Sequence, residues 1–141
     1  MSLTTTTHLN FRGDARAALE FYRSVFGGNL VIVTHAQTYP AFGPDEADLV
    51  AWGQVQAPNG FHVMAYDVPA GQTYDAGDKP VFVSVRGTDE AELNAHWKAL
   101  ADGATIIADL APSGWAPLYG MLKDRFGVTW TLDIAVAYPA A

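Results

Sequence analysis

The sequence predicts an α+β protein built from two successive βαβββ modules. The order strand, helix, strand, strand, strand occurs twice, and a stretch containing glycine and proline separates the two runs. Only two long helical patterns accompany the eight strand patterns, which is too few for a doubly wound α/β sheet. We therefore predict a single domain of 141 residues, with module one at about 4–68, a linker at about 69–79 and module two at about 80–136.

Module one is predicted from a strand over 5–11, a helix, and three further strands over 30–36, 49–57 and 61–68. Asp14 is the expected N-cap of the helix, and Gly27–Gly28 is expected to end it. The apolar stripe of this helix consists of Ala15, Ala18, Leu19, Tyr22, Val25 and Phe26. Residues 39–48 are predicted as a loop, and Asn59–Gly60 as the turn of a hairpin.

Module two repeats this order with strands over 80–86, 104–110, 115–123 and 128–135. Thr88 is the expected cap of its helix, whose apolar stripe contains Leu93, Trp97 and Leu100. The segment Asp124–Gly127 carries charges, but Asp at its first position and Gly at its fourth favour a structural type I turn.

Composition excludes several classes of function. The formal net charge is -7, from 15 acidic and 8 basic residues, so nucleic acid is not an expected partner, and a neutral or cationic small molecule is easier to accommodate. Cysteine is absent, which excludes disulfides and thiolate chemistry. The sequence contains no apolar run long enough to span a membrane and no signal peptide at its start, so we expect a cytoplasmic protein without membrane contact.

Three stretches together resemble a known superfamily. They are Leu9–Asp14 followed by Ala18–Tyr22 and Phe26–Gly28, then Phe61–Asp67, and then Tyr119–Trp130. This combination resembles the glyoxalase and bleomycin-resistance proteins of the vicinal oxygen chelate superfamily. Within that superfamily it is most similar to the demethylubiquinone-methyltransferase-like branch, and the resemblance covers nearly the whole chain.

The resemblance implies a fold and leaves the chemistry open. It implies curled sheets around a ligand cleft, with the helices on the outer face, and a homodimer as the common assembly. The superfamily includes lyases, isomerases, dioxygenases and drug-binding proteins without catalytic activity, so fold alone does not assign a reaction.

The resemblance also permits a test for a metal site. Metal-dependent relatives hold a divalent cation with His and Glu side chains from the first and last strands of both halves. The corresponding positions here fall near Thr6 or Thr7, Met64 or Ala65, Pro80 and Thr131, and none supplies an imidazole or a carboxylate. We therefore predict no metal ligand.

No other cofactor is predicted. A Rossmann-type site for S-adenosylmethionine needs a glycine-rich turn after the first strand, and the junction Arg12–Ala15 contains one glycine. We find no second candidate for such a turn.

The aromatic and histidine side chains on the strands remain as candidate ligand-binding residues. Aromatic walls suit flat or apolar ligands, and phenol and indole groups add polar contacts. The candidates for ligand binding are Trp52, His62, Tyr66, Trp115 and Tyr119, and His8 is the candidate catalytic residue. We predict a metal-independent small-molecule binding protein. The alternatives are a divalent-metal-dependent lyase, isomerase or dioxygenase, and a metal-free acid-base enzyme that uses His8.

Overall fold

The computed structural model describes residues 2–38 and 46–136, which form two compact units that divide between Gly77 and Asp78. The first unit consists of β1 (Thr7–Phe11), α1 (Ala15–Phe26), β2 (Asn29–Thr34), α2 (His35–Thr38), β3 (Val50–Gln56) and β4 (His62–Asp67). The second consists of β5 (Val83–Gly87), α3 (Glu90–Ala101), β6 (Thr105–Ala111), β7 (Tyr119–Lys123) and β8 (Thr129–Ile134). No helix in these described ranges is long and apolar enough to cross a membrane.

Each unit contains one four-stranded mixed sheet. The strand order is β1-β4-β3-β2 in the first sheet and β5-β8-β7-β6 in the second. In both sheets the first and last strands of the unit pair in parallel, and the remaining pairs are antiparallel. The same topology occurs twice, which confirms the predicted α+β class and the repeated element order.

The two units also share a helix-packing contact that rests on glycine. In the first unit, a Cβ atom on Gly53 of β3 would lie 2.6 Å from Leu19 Cδ1 of α1. In the second unit, a Cβ atom on Gly120 of β7 would lie 2.8 Å from Trp97 Cη2 of α3. Each helix therefore packs directly on the backbone of the third strand of its unit, where only glycine leaves room. This packing fixes which face of each sheet is covered by the helix.

The N-terminus of α1 is capped from a distant strand and not by the expected residue. Asp14 occupies the N-cap position, but its side chain makes no capping hydrogen bond. Instead, Asp67 Oδ1 at the end of β4 accepts hydrogen bonds from Gly13 N at 2.8 Å and Ala15 N at 3.0 Å. Its other oxygen accepts from Val50 N at 2.9 Å, and the residue is 1 % exposed. The predicted N-cap position is correct, but the capping hydrogen bonds come from Asp67 through a tertiary contact.

The cap of α3 is displaced by one residue from the prediction. Asp89 is the N-cap, and its carboxylate accepts hydrogen bonds from the backbone N–H groups of Ala91 and Glu92. Thr88 precedes the cap. A carboxylate at this position also interacts favourably with the positive end of the helix, which a threonine hydroxyl does not.

Several predicted strand limits were also wrong. The strand predicted over 80–86 begins at Val83, and the strand predicted over 115–123 begins at Tyr119. Before Tyr119, the Ser113 hydroxyl accepts hydrogen bonds from the N–H groups of Trp115 and Ala116, so these groups are not available to a strand. The strand predicted over 30–36 ends at Thr34, where α2 begins. Of the loop predicted over 39–48, residues 39–45 lie outside the described ranges.

The turn between β7 and β8 is structural, as predicted. Gly127 N donates to Asp124 O at 3.0 Å, which closes the turn. The Asp124 carboxylate accepts from the N–H groups of Phe126 and Val128 and from the Trp130 indole Nε1 at 2.9 Å. Trp130 is fully buried, so this turn is held to the core of the second unit by a buried carboxylate.

Candidate functional site

The first sheet has one face covered by α1 and an opposite face that no element of the first unit covers within the described residues. On β4, Val63, Ala65 and Asp67 are buried towards the helix, while the alternating residues are only half-buried. We call the opposite surface the first open face. It includes Thr6, His8, Trp52, Gln54, His62 and Tyr66. Four of the six residues predicted from the sequence therefore share one surface.

Aromatic rings form one row across the first open face. The parallel register pairs His8 with Met64 and Asn10 with Tyr66, and the His8 and Tyr66 rings meet edge to face at 5.4 Å between centroids. Because Gly53 pairs with Ala65 in the antiparallel register, Trp52 lies opposite Tyr66. An imidazole, a phenol and an indole thus occupy three adjacent strands.

A chain of polar side chains runs beside this row. Thr6 Oγ1 donates to His62 Nδ1 at 3.2 Å, and His62 Nε2 donates to Gln54 Oε1 at 2.8 Å. These partners place the His62 proton on Nε2, since the amide oxygen can only accept and Nδ1 then accepts from the hydroxyl. Both ring nitrogens of His62 are therefore engaged within the protein. Its role on this face is to hold Thr6 and Gln54 in place.

His8 differs from His62 because one of its nitrogens faces outward. His8 Nδ1 donates to Asn10 Oδ1 at 3.0 Å, and His8 Nε2 has no hydrogen-bond partner among residues 2–38 and 46–136. The donor role of Nδ1 leaves the lone pair of the neutral imidazole on Nε2. His8 is exposed, so this lone pair is available to a ligand.

The second sheet also has a face that lies opposite its helix. We call it the second open face, and it includes Ser84, Arg86, Tyr119, Met121, Lys123 and Asp133. Tyr119 lies on β7, as predicted. Trp115 lies in the turn before β7, is 58 % exposed and meets the Tyr119 ring edge to face at 5.0 Å between centroids. Arg86 and Asp133 form an ion pair with 3.2 Å between Nε and Oδ1.

The sequence analysis did not select Thr6, Gln54 or Arg86. Strand alternation could have found Gln54 and Arg86, since Gln54 is two residues from Trp52 and Arg86 ends a predicted strand. Thr6 entered the sequence analysis only as a position near an expected metal ligand, and its hydrogen bond to a residue 56 positions away could not be predicted from local pattern.

The fold is that of the glyoxalase-like proteins. The structure of a glyoxylase/bleomycin resistance protein/dioxygenase domain from Frankia sp. EAN1pec matches 96 % of this chain and 99 % of its own, with a TM-score of 0.68 and 12 % identity. At that identity the likeness concerns the fold alone. It agrees with the two mixed four-stranded sheets described above.

By its sequence, the chain belongs to the family described as 3-demethylubiquinone-9 3-methyltransferase, whose model matches residues 4–133. Protein PA1353 from Pseudomonas aeruginosa is 29 % identical, with a TM-score of 0.84 over 94 % of this chain and 98 % of that protein. The PhnB protein from Bacillus cereus is 26 % identical, with a TM-score of 0.77 over 94 % of this chain and all of that protein (100 %).

The metal site that the resemblance to glyoxalases implies does not fit the residues present. On the first open face, β1 and β4 offer His62, whose nitrogens are both engaged, and His8. On the second open face, β5 contributes the cation Arg86, and the carboxylate of Asp133 is paired with it. Across residues 2–38 and 46–136, no three or more His, Asp or Glu side chains converge. A guanidinium on this face repels a divalent cation.

The β1–α1 junction does not fit a Rossmann-type cofactor site either. Such a site uses the N–H groups at the start of the first helix to bind the cofactor. Here the N–H groups of Gly13 and Ala15 already donate to the buried Asp67 carboxylate. The protein itself therefore fills the position that a bound anion would take.

Proposed function

We propose that this protein binds a small aromatic molecule on the first open face, without a metal ion. One observation carries this proposal: the His8 and Tyr66 rings are in contact, the strand register places Trp52 opposite Tyr66, and the polar side chains beside them are already bonded to one another. The rings offer area for stacking, and the fixed Thr6–His62–Gln54 chain needs no reorganisation when a ligand arrives.

Binding can be tested by NMR and thermal denaturation of the full chain. The probes are phenol, indole and benzyltrimethylammonium, and the buffer contains EDTA. We expect at least one probe to shift the Trp52 indole N–H resonance in a saturable manner and to raise the melting temperature. A bound probe that is excluded from the unfolded chain stabilises the folded state by mass action. Absence of any response at Trp52, or a response that requires an added divalent ion, would contradict the proposal.

Trp52→Ala is expected to weaken binding of the best probe by roughly tenfold, since a stacked aromatic contact contributes about 1 kcal/mol or more. Glu20→Ala is the matched control, because Glu20 is exposed on α1 and lies away from the first open face. The dissociation constant is measured by calorimetry for both variants. If Trp52→Ala and Glu20→Ala bind the probe with equal affinity, the Trp52 indole does not contact the ligand.

A metal-free acid-base reaction is the second candidate function. The specific observation in its favour is the outward lone pair on His8 Nε2, held by the bond from Nδ1 to Asn10. In this role His8 would take a proton from a ligand lying over Tyr66, and Asn10 would orient the ring. His8→Gln separates the two roles: it would abolish turnover of a substrate but leave probe binding within a few-fold of the wild type.

A further inference from the structure

Three charged or aromatic side chains form a row across the second open face. The parallel register pairs Arg86 of β5 with Asp133 of β8, and the antiparallel register pairs Asp133 with Tyr119 of β7. Trp115 extends the row through its ring contact with Tyr119. Neighbouring strands lie about 4.8 Å apart, so Arg86 and Tyr119 are separated by about 10 Å across the sheet.

This row is rich in donors that have no acceptor. Arg86 uses only Nε to reach Asp133, and neither Nη group has a partner in the part of the chain that the structure describes. The Tyr119 hydroxyl and the Trp115 indole N–H also lack acceptors among those residues. The Arg86 side chain is 49 % exposed, whereas that of Asp133 is 14 % exposed. Asp133 thus binds the guanidinium through Nε and leaves its two Nη groups accessible.

The residues that define the second open face differ in charge from the chain as a whole. Among them Arg86 and Lys123 are cations and Asp133 is a carboxylate, whereas the formal net charge of the chain is -7. The first open face carries no Lys, Arg, Asp or Glu among its defining residues. Composition favours a neutral or cationic ligand, but the local field on the second open face favours an anion.

We propose that the second open face binds the carboxylate of a small aromatic acid. The Arg86 Nη groups provide two parallel donors, which match the geometry of a planar carboxylate, and the Trp115–Tyr119 corner contacts the ring. The separation of about 10 Å between Arg86 and Tyr119 suits one aromatic ring bearing one carboxylate. This inference rests on the proposed small-molecule binding function and adds the chemical class of ligand.

The test is a pair of NMR titrations of the full ¹⁵N-labelled chain with sodium benzoate and with benzamide. The two probes have nearly the same shape and differ in charge. We expect benzoate to shift the Arg86 Nε–H and Trp115 indole resonances and to bind at least about tenfold more tightly than benzamide, since charge-assisted bonds are roughly twice as strong as neutral ones. Equal affinities, or benzoate shifts confined to other residues, would overturn the proposal.

Variants of Arg86 complete the test. Arg86→Gln is expected to lower the affinity for benzoate by about tenfold, to the level of benzamide. The affinity for benzamide is expected to stay unchanged. Arg86→Lys keeps the charge but loses the fork, so an intermediate affinity is expected. Because Arg86→Gln leaves Asp133 without its cation, Arg86→Gln/Asp133→Asn serves as a second variant without the unpaired carboxylate. Unchanged benzoate affinity in either glutamine variant would overturn the proposal.

The outcome also separates this inference from the first proposal. A Trp52 response to neutral probes, with no preference for benzoate at Arg86, retains the first open face as a binding surface and removes the carboxylate site. A benzoate preference at Arg86 without any response at Trp52 supports the carboxylate site and contradicts the assignment of binding to the first open face.

Discussion

Asp67→Ala is expected to lower the free energy of unfolding by about 3 to 5 kcal/mol, because each buried donor that loses its partner costs roughly 1 to 3 kcal/mol. The carboxylate accepts from the N–H groups of Gly13, Ala15 and Val50, so its removal leaves three donors unsatisfied at the start of α1 and of β3. The change is measured by urea denaturation followed by circular dichroism.

Asp14→Ala is the matched control for this prediction. Asp14 occupies the N-cap position of the same helix, is exposed and makes no capping hydrogen bond, so its loss is expected to cost less than about 1 kcal/mol. Asp67→Asn keeps one acceptor oxygen but turns an amide donor towards a backbone N–H. We expect a loss of unfolding free energy between those of Asp14→Ala and Asp67→Ala. A larger effect from Asp14→Ala than from Asp67→Ala would show that the cap has been assigned to the wrong carboxylate.

Trp130→Ala is expected to lower the free energy of unfolding by a similar amount, about 3 to 5 kcal/mol, because truncation of a large buried aromatic side chain leaves a cavity. Trp130 is fully buried on the helix-covered side of the second sheet, and its indole Nε1 donates to Asp124 at 2.9 Å. The substitution therefore removes core volume and also one of the bonds that hold the β7–β8 turn. Denaturation is followed by circular dichroism, because the variant also changes tryptophan fluorescence.

Two variants separate these contributions. Trp130→Phe retains most of the buried ring but loses the donor to Asp124, and we expect a loss of about 1 to 3 kcal/mol. Trp115→Ala makes the same type of truncation at a side chain that is 58 % exposed. A surface change of this kind is expected to stay near 0.5 kcal/mol. Equal losses for Trp115→Ala and Trp130→Ala would contradict the burial that distinguishes the two residues.

The two open faces differ in the kind of contact that they offer a ligand. On the first, Thr6, His62 and Gln54 are bonded to one another, so the available interactions are ring stacking and a hydrogen bond to the outward nitrogen of His8. On the second, Arg86 has unused donors, so a charge-assisted bond is available. Neutral aromatic probes are therefore the first screen for the first open face, and aromatic acids are the first screen for the second.

The candidate residues could be selected from the sequence because strand alternation determines on which side of the sheet each side chain lies. On β1 the apolar Leu9 and Phe11 alternate with His8, so they face the helix and His8 lies on the opposite side. Trp52, His62 and Tyr66 lie on the same surface for the same reason. Tyr119 follows the rule in the second sheet, whereas Trp115 lies in a turn because Ser113 binds the backbone N–H groups before β7.

The sequence by itself determined the class of fold, the repeat of element order and the end of α1 at Gly27, because hydrophobic periodicity and glycine conformation are local properties. Only the tertiary structure decided that Asp67 caps α1, that Trp97 packs on Gly120 and that Asp133 holds Arg86 in position. Each of these contacts joins residues that are distant in the chain. Their energies depend on burial and hydrogen-bond geometry, which no local pattern specifies.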